Sequence, residues 1–324
     1  FSRADTVEVR TRERICAMVN REKFDKLLVD KAIEQNVEFR QQEQVVVVRD
    51  GAEHVEVQTV KGVYQARYVV AADGATGTAS RLVRQPYGRG EIMAAVVSSV
   101  PAERGKTGDV LEMYFGIAPR GYGWVFPHGA YNSVGVMGLA SRFSDAQQCL
   151  TDFSRSRNIT LTAARGHTIP LGGIERKLAA GRILLVGDAA GFADPFHGEG
   201  MGNSMLSGTL AAQAIAAQGA DPERCRSWYS VQCKKQLTRD LKIGLRMSRL
   251  LERYPRFFVT LFFRHKKTLE RYVDIALNKC DHARFQRWVL LRLPFFLLAH
   301  AAARFRERQG TNGPAATADP RDLA

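Results

Sequence analysis

Residues 182–202, RILLVGDAAGFADPFHGEGMG, constrain the fold more than any other stretch of the chain. Ile183-Leu184-Leu185-Val186 run apolar without alternation, the pattern of a strand covered on both faces, as in a parallel sheet. Gly187 allows a sharp turn at the strand's end because it carries no Cβ. Asp188 then stands at the carboxyl end of a buried strand, where open α/β sheets receive ligands. Pro195 and the spaced glycines Gly198, Gly200 and Gly202 lead into a long helical pattern from Met201.

A carboxylate accepts hydrogen bonds from hydroxyls and repels phosphate, so Asp188 suits a sugar or polyol. The bare N–H groups of HGEGMG, at the start of a helix, suit an anion or an electron-rich ring edge. Polyol contact followed by ring contact describes the ribityl chain and isoalloxazine of a flavin. A loop serving only a tight turn has no need of the carboxylate, the proline and the strand–loop–helix setting together.

The chain has 324 residues, of which 45% are hydrophobic and 25% charged, enough for two globular domains, or for one domain with an inserted sheet, and for a real core. The tail QGTNGPAATADPRDLA (309–324) has no apolar period and is expected to be disordered. Five cysteines are scattered with no CxxC and no histidine cluster at metal spacing. No metal site and no disulfide framework is expected, and a reducing cytosol fits. Cys16 is expected to be buried and inert, in a strand-like N-terminal segment.

The net charge of +14 favours nucleic acid, an anionic membrane surface or phosphate-bearing ligands. Basic residues are spread along the chain without stacking aromatics, which argues against nucleic acid. The charged first residues are no secretory signal. A cytoplasmic protein is expected, with peripheral contact on the inner membrane face as a further expectation.

Along the chain, REKFDKLLVDKAIEQN (21–36) places Phe24, Leu27, Leu28, Ala32 and Ile33 on one helical face. VEFRQQ, QVVVVRDG, EHVEVQTV and ARYVVAADG read as short strands, with a hairpin turn at Asp50-Gly51. EIMAAVVSSV, DVLEMYFG, YGWVFPHG and NSVGVMGLA predict an antiparallel sheet, and a helix follows near 143–157. From Met201 the pattern is helical almost to Arg308. The expected fold is α/β: a discontinuous doubly wound domain (1–88 and 178–220), an inserted antiparallel-sheet domain (89–177) and a C-terminal helical region (221–308).

The string GD-A-A-x-x-x-x-P-x-x-G-E-G resembles the second flavin-binding motif of FAD-dependent oxidoreductases related to aromatic hydroxylases. VVAADGATGTASRLVR resembles their other internal motif, and the resemblance puts Asp73 and Gly74 near the FAD pyrophosphate. NREKFDKLL resembles their Arg-x-x-Phe-Asp segment, which begins at Arg21. The cofactor contacts implied are Arg21, Asp73, Gly74, Gly187, Asp188, Pro195, Gly198, Glu199, Gly200 and Met201. GYGWVFPHGAYNSVGVMG (121–138) is similar to the aromatic segment of the geranylgeranyl reductase family, which reduces isolated C=C bonds in prenyl chains.

That resemblance implies FAD, with NAD(P)H or reduced ferredoxin as electron donor, and a prenylated lipid, quinone or chlorophyll-like substrate. A prenyl chain has no polar handle, so rigid apolar walls must hold it. Tyr122, Trp124 and Phe126 share one face of an alternating strand that ends at Pro127, and either line such a pocket or pack as core. His197, beside the flavin loop, is the candidate acid, with a structural role as the alternative. Glu199 is expected to act as a helix N-terminal carboxylate.

The Tyr-x-Trp-x-Phe-Pro string is also similar to the Trp-x-Trp-x-Ile-Pro segment of flavin halogenases. A flavin monooxygenase or halogenase is therefore one alternative, and an inactive flavoprotein remnant another. The family's opening Gly-x-Gly-x-x-Gly turn has no match here, so a first βαβ unit is expected upstream in a longer parent. Two stretches, RYPRFFVTLFFRHKK (253–267) and WVLLRLPFFLLAHAAARFRER (288–308), combine an apolar body with basic ends and either rest at a lipid interface or pack on the flavin domain.

Overall fold

The computed structural model describes residues 6–10, 15–102, 110–255, 266–277 and 279–310, the last twelve of these by their backbone. Residues 6–10 and 15–20 form no strand. Helix α1 (Arg21–Glu34) is capped by Asn20, whose side chain accepts from the Lys23 amide. None of its residues is buried, and of the predicted apolar face Leu27, Leu28 and Ile33 are exposed while Phe24 and Ala32 are partly covered.

VEFRQQ, predicted as a strand, is not one: Asn36 and Gln42 take left-handed backbone, with φ of 64° and 53°, which breaks an extended run at both ends. Strands β1 (Val45–Asp50), β2 (Val55–Thr59) and β3 (Val63–Ala66) form an antiparallel meander. Asp50 pairs with Val55 across the Gly51–His54 turn, which the Gly51 amide closes on the His54 carbonyl at 3.0 Å.

Strand β4 (Val69–Ala71) leads to the one-turn helix α2 (Ser80–Val83). Next come β5 (Ile92–Pro101), β6 (Glu112–Phe115), β7 (Tyr122–Pro127), β8 (Tyr131–Leu139), helix α3 (Ala146–Ser156) and β9 (Ala164–Pro170). These five strands form one antiparallel sheet in the order β6-β7-β8-β5-β9. Strict alternation gives it two faces. Val134, Val136, Leu150 and Phe153 fill the α3 side, while Tyr122, Trp124, Phe126 and Met137 cluster on the other with Leu171 and Leu245.

Strands β10 (Ala179–Ala180) and β11 (Ile183–Leu185) join β4 in a second sheet. There β11 runs parallel to β4 in the register Ile183↔Val69 and Leu185↔Ala71. Helix α4 (Gly187–Ala190) is a single turn, followed by α5 (Met201–Gln218), α6 (Pro222–Cys233), a π-helical turn over Lys234–Thr238 and α7 (Arg239–Arg253). The small residues Ser207, Ala211 and Ala214 recur along α5 and are buried, so its backbone approaches closely. Helix α6 contributes the buried Cys225, Tyr229 and Cys233, and Tyr229 donates its hydroxyl hydrogen to the Leu185 carbonyl.

The first compact unit runs through Arg253, with α6 packed in the core beneath β11. Among the described residues the second unit takes in 6–10 and those from Tyr254 onward, and its helices are α8 (Lys266–Ala276) and α9 (His282–Gly310). The stretch 256–265 and the tail beyond 310 lie outside the described residues. Cys16 is exposed, not buried, because its segment joins no sheet. All five cysteines are free.

Candidate functional site

Parallel pairing of β4 with β11 delivers two loops to one sheet edge, and the Val186 amide donates to the Ala71 carbonyl at 3.0 Å. Asp73-Gly74 and Gly187-Asp188 thus leave the sheet side by side. The Asp73 carboxylate accepts from the Ala79 amide at 2.7 Å and the Ser80 amide at 3.3 Å, and so fixes the turn into α2. Gly74 is left-handed, φ 75°, and a Cβ there would meet no atom within 4 Å, which leaves an open approach to the backbone.

Three residues that the sequence reading did not single out hold the two loops together. Buried Arg84 donates from Nε to the Ala189 carbonyl at 2.7 Å and from Nη2 to the Ala75 carbonyl at 3.2 Å. The Tyr87 ring contacts two guanidinium groups, with the Arg84 Cζ 3.4 Å and the Arg176 Cζ 4.7 Å from its centroid. Its hydroxyl is within reach of the carbonyls of Asp188, at 2.8 Å, and Ala189, at 2.9 Å. Burial pushes that phenol up to about 12, against the pull of the two arginines, so it stays a donor. Arg84 falls inside the VVAADGATGTASRLVR string; Tyr87 and Arg176 carry no sequence signal.

The Asp188 carboxylate accepts no hydrogen bond from any described residue. Burial raises its pKa, and Arg21, at the start of α1, opposes the rise. Arg21 also pairs with Asp25 at 2.9 Å. A Cβ on Gly200 would lie 3.7 Å from Asp188 Oδ1, so the bare backbone of that glycine keeps the carboxylate approachable.

The loop from Asp194 to Glu199 is closed on itself. The Asp194 amide donates to the Glu199 carbonyl at 2.6 Å, and the Gly198 amide returns to the Asp194 carbonyl at 2.9 Å. Asp194 Oδ1 accepts from the amides of Phe196, at 2.7 Å, and His197, at 2.9 Å, which locks buried Pro195 in the turn. Asp194 was another residue that sequence reasoning missed, although an Asx turn before proline is its natural setting. His197 Nδ1 lies 3.6 Å from Asp194 Oδ1. The Glu199 carboxylate accepts from the Gly202 amide at 2.8 Å in the first turn of α5, which begins at Met201.

The amides of Gly200, Met201 and Asn203 meet no acceptor among the described residues. Free donors at a helix start beside a free carboxylate are the groups a flavin's ring edge and ribityl hydroxyls require, so the residues present fit FAD.

The aromatic face of β7 abuts this loop. The Tyr122 hydroxyl donates to the His197 carbonyl at 2.6 Å, and burial, with Asp194 adding to it, raises its pKa far above the ordinary phenol. Gly198 has φ 78°, and a Cβ there would meet Met137 Cε at 2.7 Å. Tyr122 and Trp124 stand edge to face at 5.9 Å, and Phe126 follows at 6.2 Å. Trp124 Nε1 donates to Ser133 Oγ at 3.1 Å. Pro127 closes β7 opposite Asn132.

Residues 2–164 match the FAD binding domain family. An uncharacterised protein of Methanosarcina barkeri is 28% identical over 234 residues, 70% of this chain and 59% of its own length. A digeranylgeranylglycerophospholipid reductase of Methanococcus aeolicus is 26% identical over 233 residues, 69% of this chain and 56% of its own. The chain thus spans less than two thirds of either relative. Among solved structures, a geranylgeranyl bacteriochlorophyll reductase-like protein from Thermoplasma acidophilum superposes with a TM-score of 0.64. It is 21% identical, over 72% of this chain and 63% of that one. The flavin-dependent brominase Bmp2 has a TM-score of 0.64 and 20% identity, over 84% of this chain and 75% of its own. These structural likenesses show the fold.

Proposed function

The chain belongs to the FAD binding domain family, and from that premise we propose that it takes part in reducing isolated C=C bonds of polyprenyl chains. One observation carries the reading. The apolar stripe Tyr122–Trp124–Phe126 is tethered to the flavin loop by the hydrogen bond from Tyr122 to His197. The relative named as a digeranylgeranylglycerophospholipid reductase supports it.

FAD, when bound and reduced, supplies a hydride to an alkene carbon. Asp188 would hold a hydroxylated part of the cofactor, and the amides of Gly200, Met201 and Asn203 would donate to its polar edge. The β7 aromatics lay an apolar chain against the loop and exclude water, which is what an unactivated alkene most requires. His197, whose Nδ1 lies 3.6 Å from Asp194 Oδ1, donates the proton. Electrons arrive from NAD(P)H or a reduced ferredoxin.

The test is an anaerobic incubation of the FAD-loaded, photoreduced chain with a geranylgeranyl lipid, read by mass spectrometry. The reading predicts a gain of two hydrogens per saturated bond, weakened in Trp124→Ala. Oxygen-dependent hydroxylation or halogenation of an aromatic probe, with no saturated product, would overturn it in favour of the oxygenase chemistry.

A further inference from the structure

A buried cation is left half-paired at one end of the apolar wall. Arg120 stands in the turn between β6 and β7, two residues before Tyr122, and its backbone is left-handed, with φ 55°. Residues other than glycine rarely adopt that conformation, and those held in it concentrate at functional sites. The Arg120 side chain is 6% exposed. Its Nε donates to Ser248 Oγ at 3.3 Å, and its Nη2 is buried with no acceptor within reach. A buried donor of this kind costs stability unless something accepts from it.

The charges around it do not balance. Glu252 faces Arg120, but its Oε2 stands 3.8 Å from Arg120 Nε, while its Oε1 is held at 2.6 Å by Arg142. Arg249, on the same helix α7 as Glu252, adds a third guanidinium. Burial draws the Arg120 pKa down, Glu252 opposes, and the charges of Arg249 and Arg142 pull it further down. Among the described residues three cations thus meet one carboxylate, a surplus that favours an anion carrying more than one negative charge.

The position of this cation gives the anion its chemical class. Leu245 of α7 packs into the apolar cluster with Tyr122, Trp124 and Phe126. Ser248 and Glu252 follow it three and seven residues on, so they share its helix face. The guanidinium that Ser248 holds therefore lies about 5 Å, one helical turn, beyond the aromatics. An apolar wall that runs into an under-compensated guanidinium recognises a molecule with a long apolar body and a multiply charged oxyanion head. A phosphate monoester at the end of a prenyl chain meets both requirements, and its oxygens match the flat fork of a guanidinium.

We propose that Arg120, with Arg142 and Arg249 at its rim, receives the phosphate head of a prenyl phosphate whose chain lies along the β7 aromatics. The prenyl body rests on the proposed function; the anion site stands on Arg120 and its neighbours alone.

Isothermal titration of the 324-residue chain, with FAD present, by geranylgeranyl phosphate, geranylgeraniol and inorganic phosphate tests the proposal. The ester is expected to bind about tenfold more tightly than the alcohol, and inorganic phosphate more weakly than the ester. In Arg120→Gln the preference for ester over alcohol should fall to near one. Arg249→Gln, at an exposed position, should cut it about threefold.

Equal affinity for ester and alcohol in the wild-type chain would overturn the proposal. So would the full preference surviving in folded Arg120→Gln or, should that variant not fold, in Arg249→Gln. Inorganic phosphate binding as tightly as the ester would overturn it too, since the site would then take a free anion. Saturation of alcohol and ester alike, at one KM, would leave the reductase reading standing and remove this one. Ester binding with the expected preference but no saturated product would do the reverse.

Discussion

At position 198 a single methyl group has nowhere to go. The left-handed backbone costs an alanine about 1–2 kcal/mol, and its Cβ would collide with Met137. Gly198→Ala should therefore lower Tm and weaken FAD together, in thermal denaturation and flavin-fluorescence titration. Gly135 has a separable role. Its missing Cβ leaves room for the Trp124 ring, which would otherwise be 2.2 Å away. Gly135→Ala should cost about 1–3 kcal/mol by overpacking and, under the proposed function, impair prenyl turnover, with the Kd for FAD nearly unchanged.

Asp188 trades stability for binding. Burial raises its pKa, so between the ordinary carboxyl range and the raised value the folded chain binds more protons than the unfolded one. Stability contributed at low pH is lost as pH rises through that window and does not return above it. Asp188→Asn should melt a few degrees higher than wild type at about pH 7 without FAD and equally near pH 3. The same variant should bind FAD roughly tenfold more weakly, having lost a charge-assisted acceptor.

Among the elements, β11 and α6 depend on one buried hydroxyl. Tyr229 donates to the Leu185 carbonyl, and Tyr229→Phe leaves that carbonyl unsatisfied, at a cost of about 1–3 kcal/mol in denaturant unfolding with FAD stoichiometry retained. The unalternated run of β11 and the alternation of β7 were both legible in the sequence, because strand periodicity records which faces are covered. The helix of α1 was legible too, but not its exposure, since periodicity names an apolar face without naming its partner. VEFRQQ failed as a strand because left-handed Asn36 and Gln42 leave little trace in composition. Tyr87 and Arg176 were invisible for another reason: their stacking joins residues 89 positions apart, which no local pattern encodes.

At the scale of the whole molecule, two loops from parallel strands meet at one sheet edge, and an antiparallel sheet turns its aromatic face toward them. The glycines, Asp73 and Asp188 of those loops were readable as motifs. The braces that hold them, Arg84, Tyr87 and Asp194, emerge only when the chain is folded. The central claim is that this loop pair holds FAD. It is tested most directly by the flavin content of the 324-residue chain after FAD loading and desalting, read from its visible absorption beside Asp188→Ala. The account predicts about one flavin per wild-type chain and almost none in the folded variant. A colourless folded wild type, or a variant that keeps its flavin in full, would contradict it.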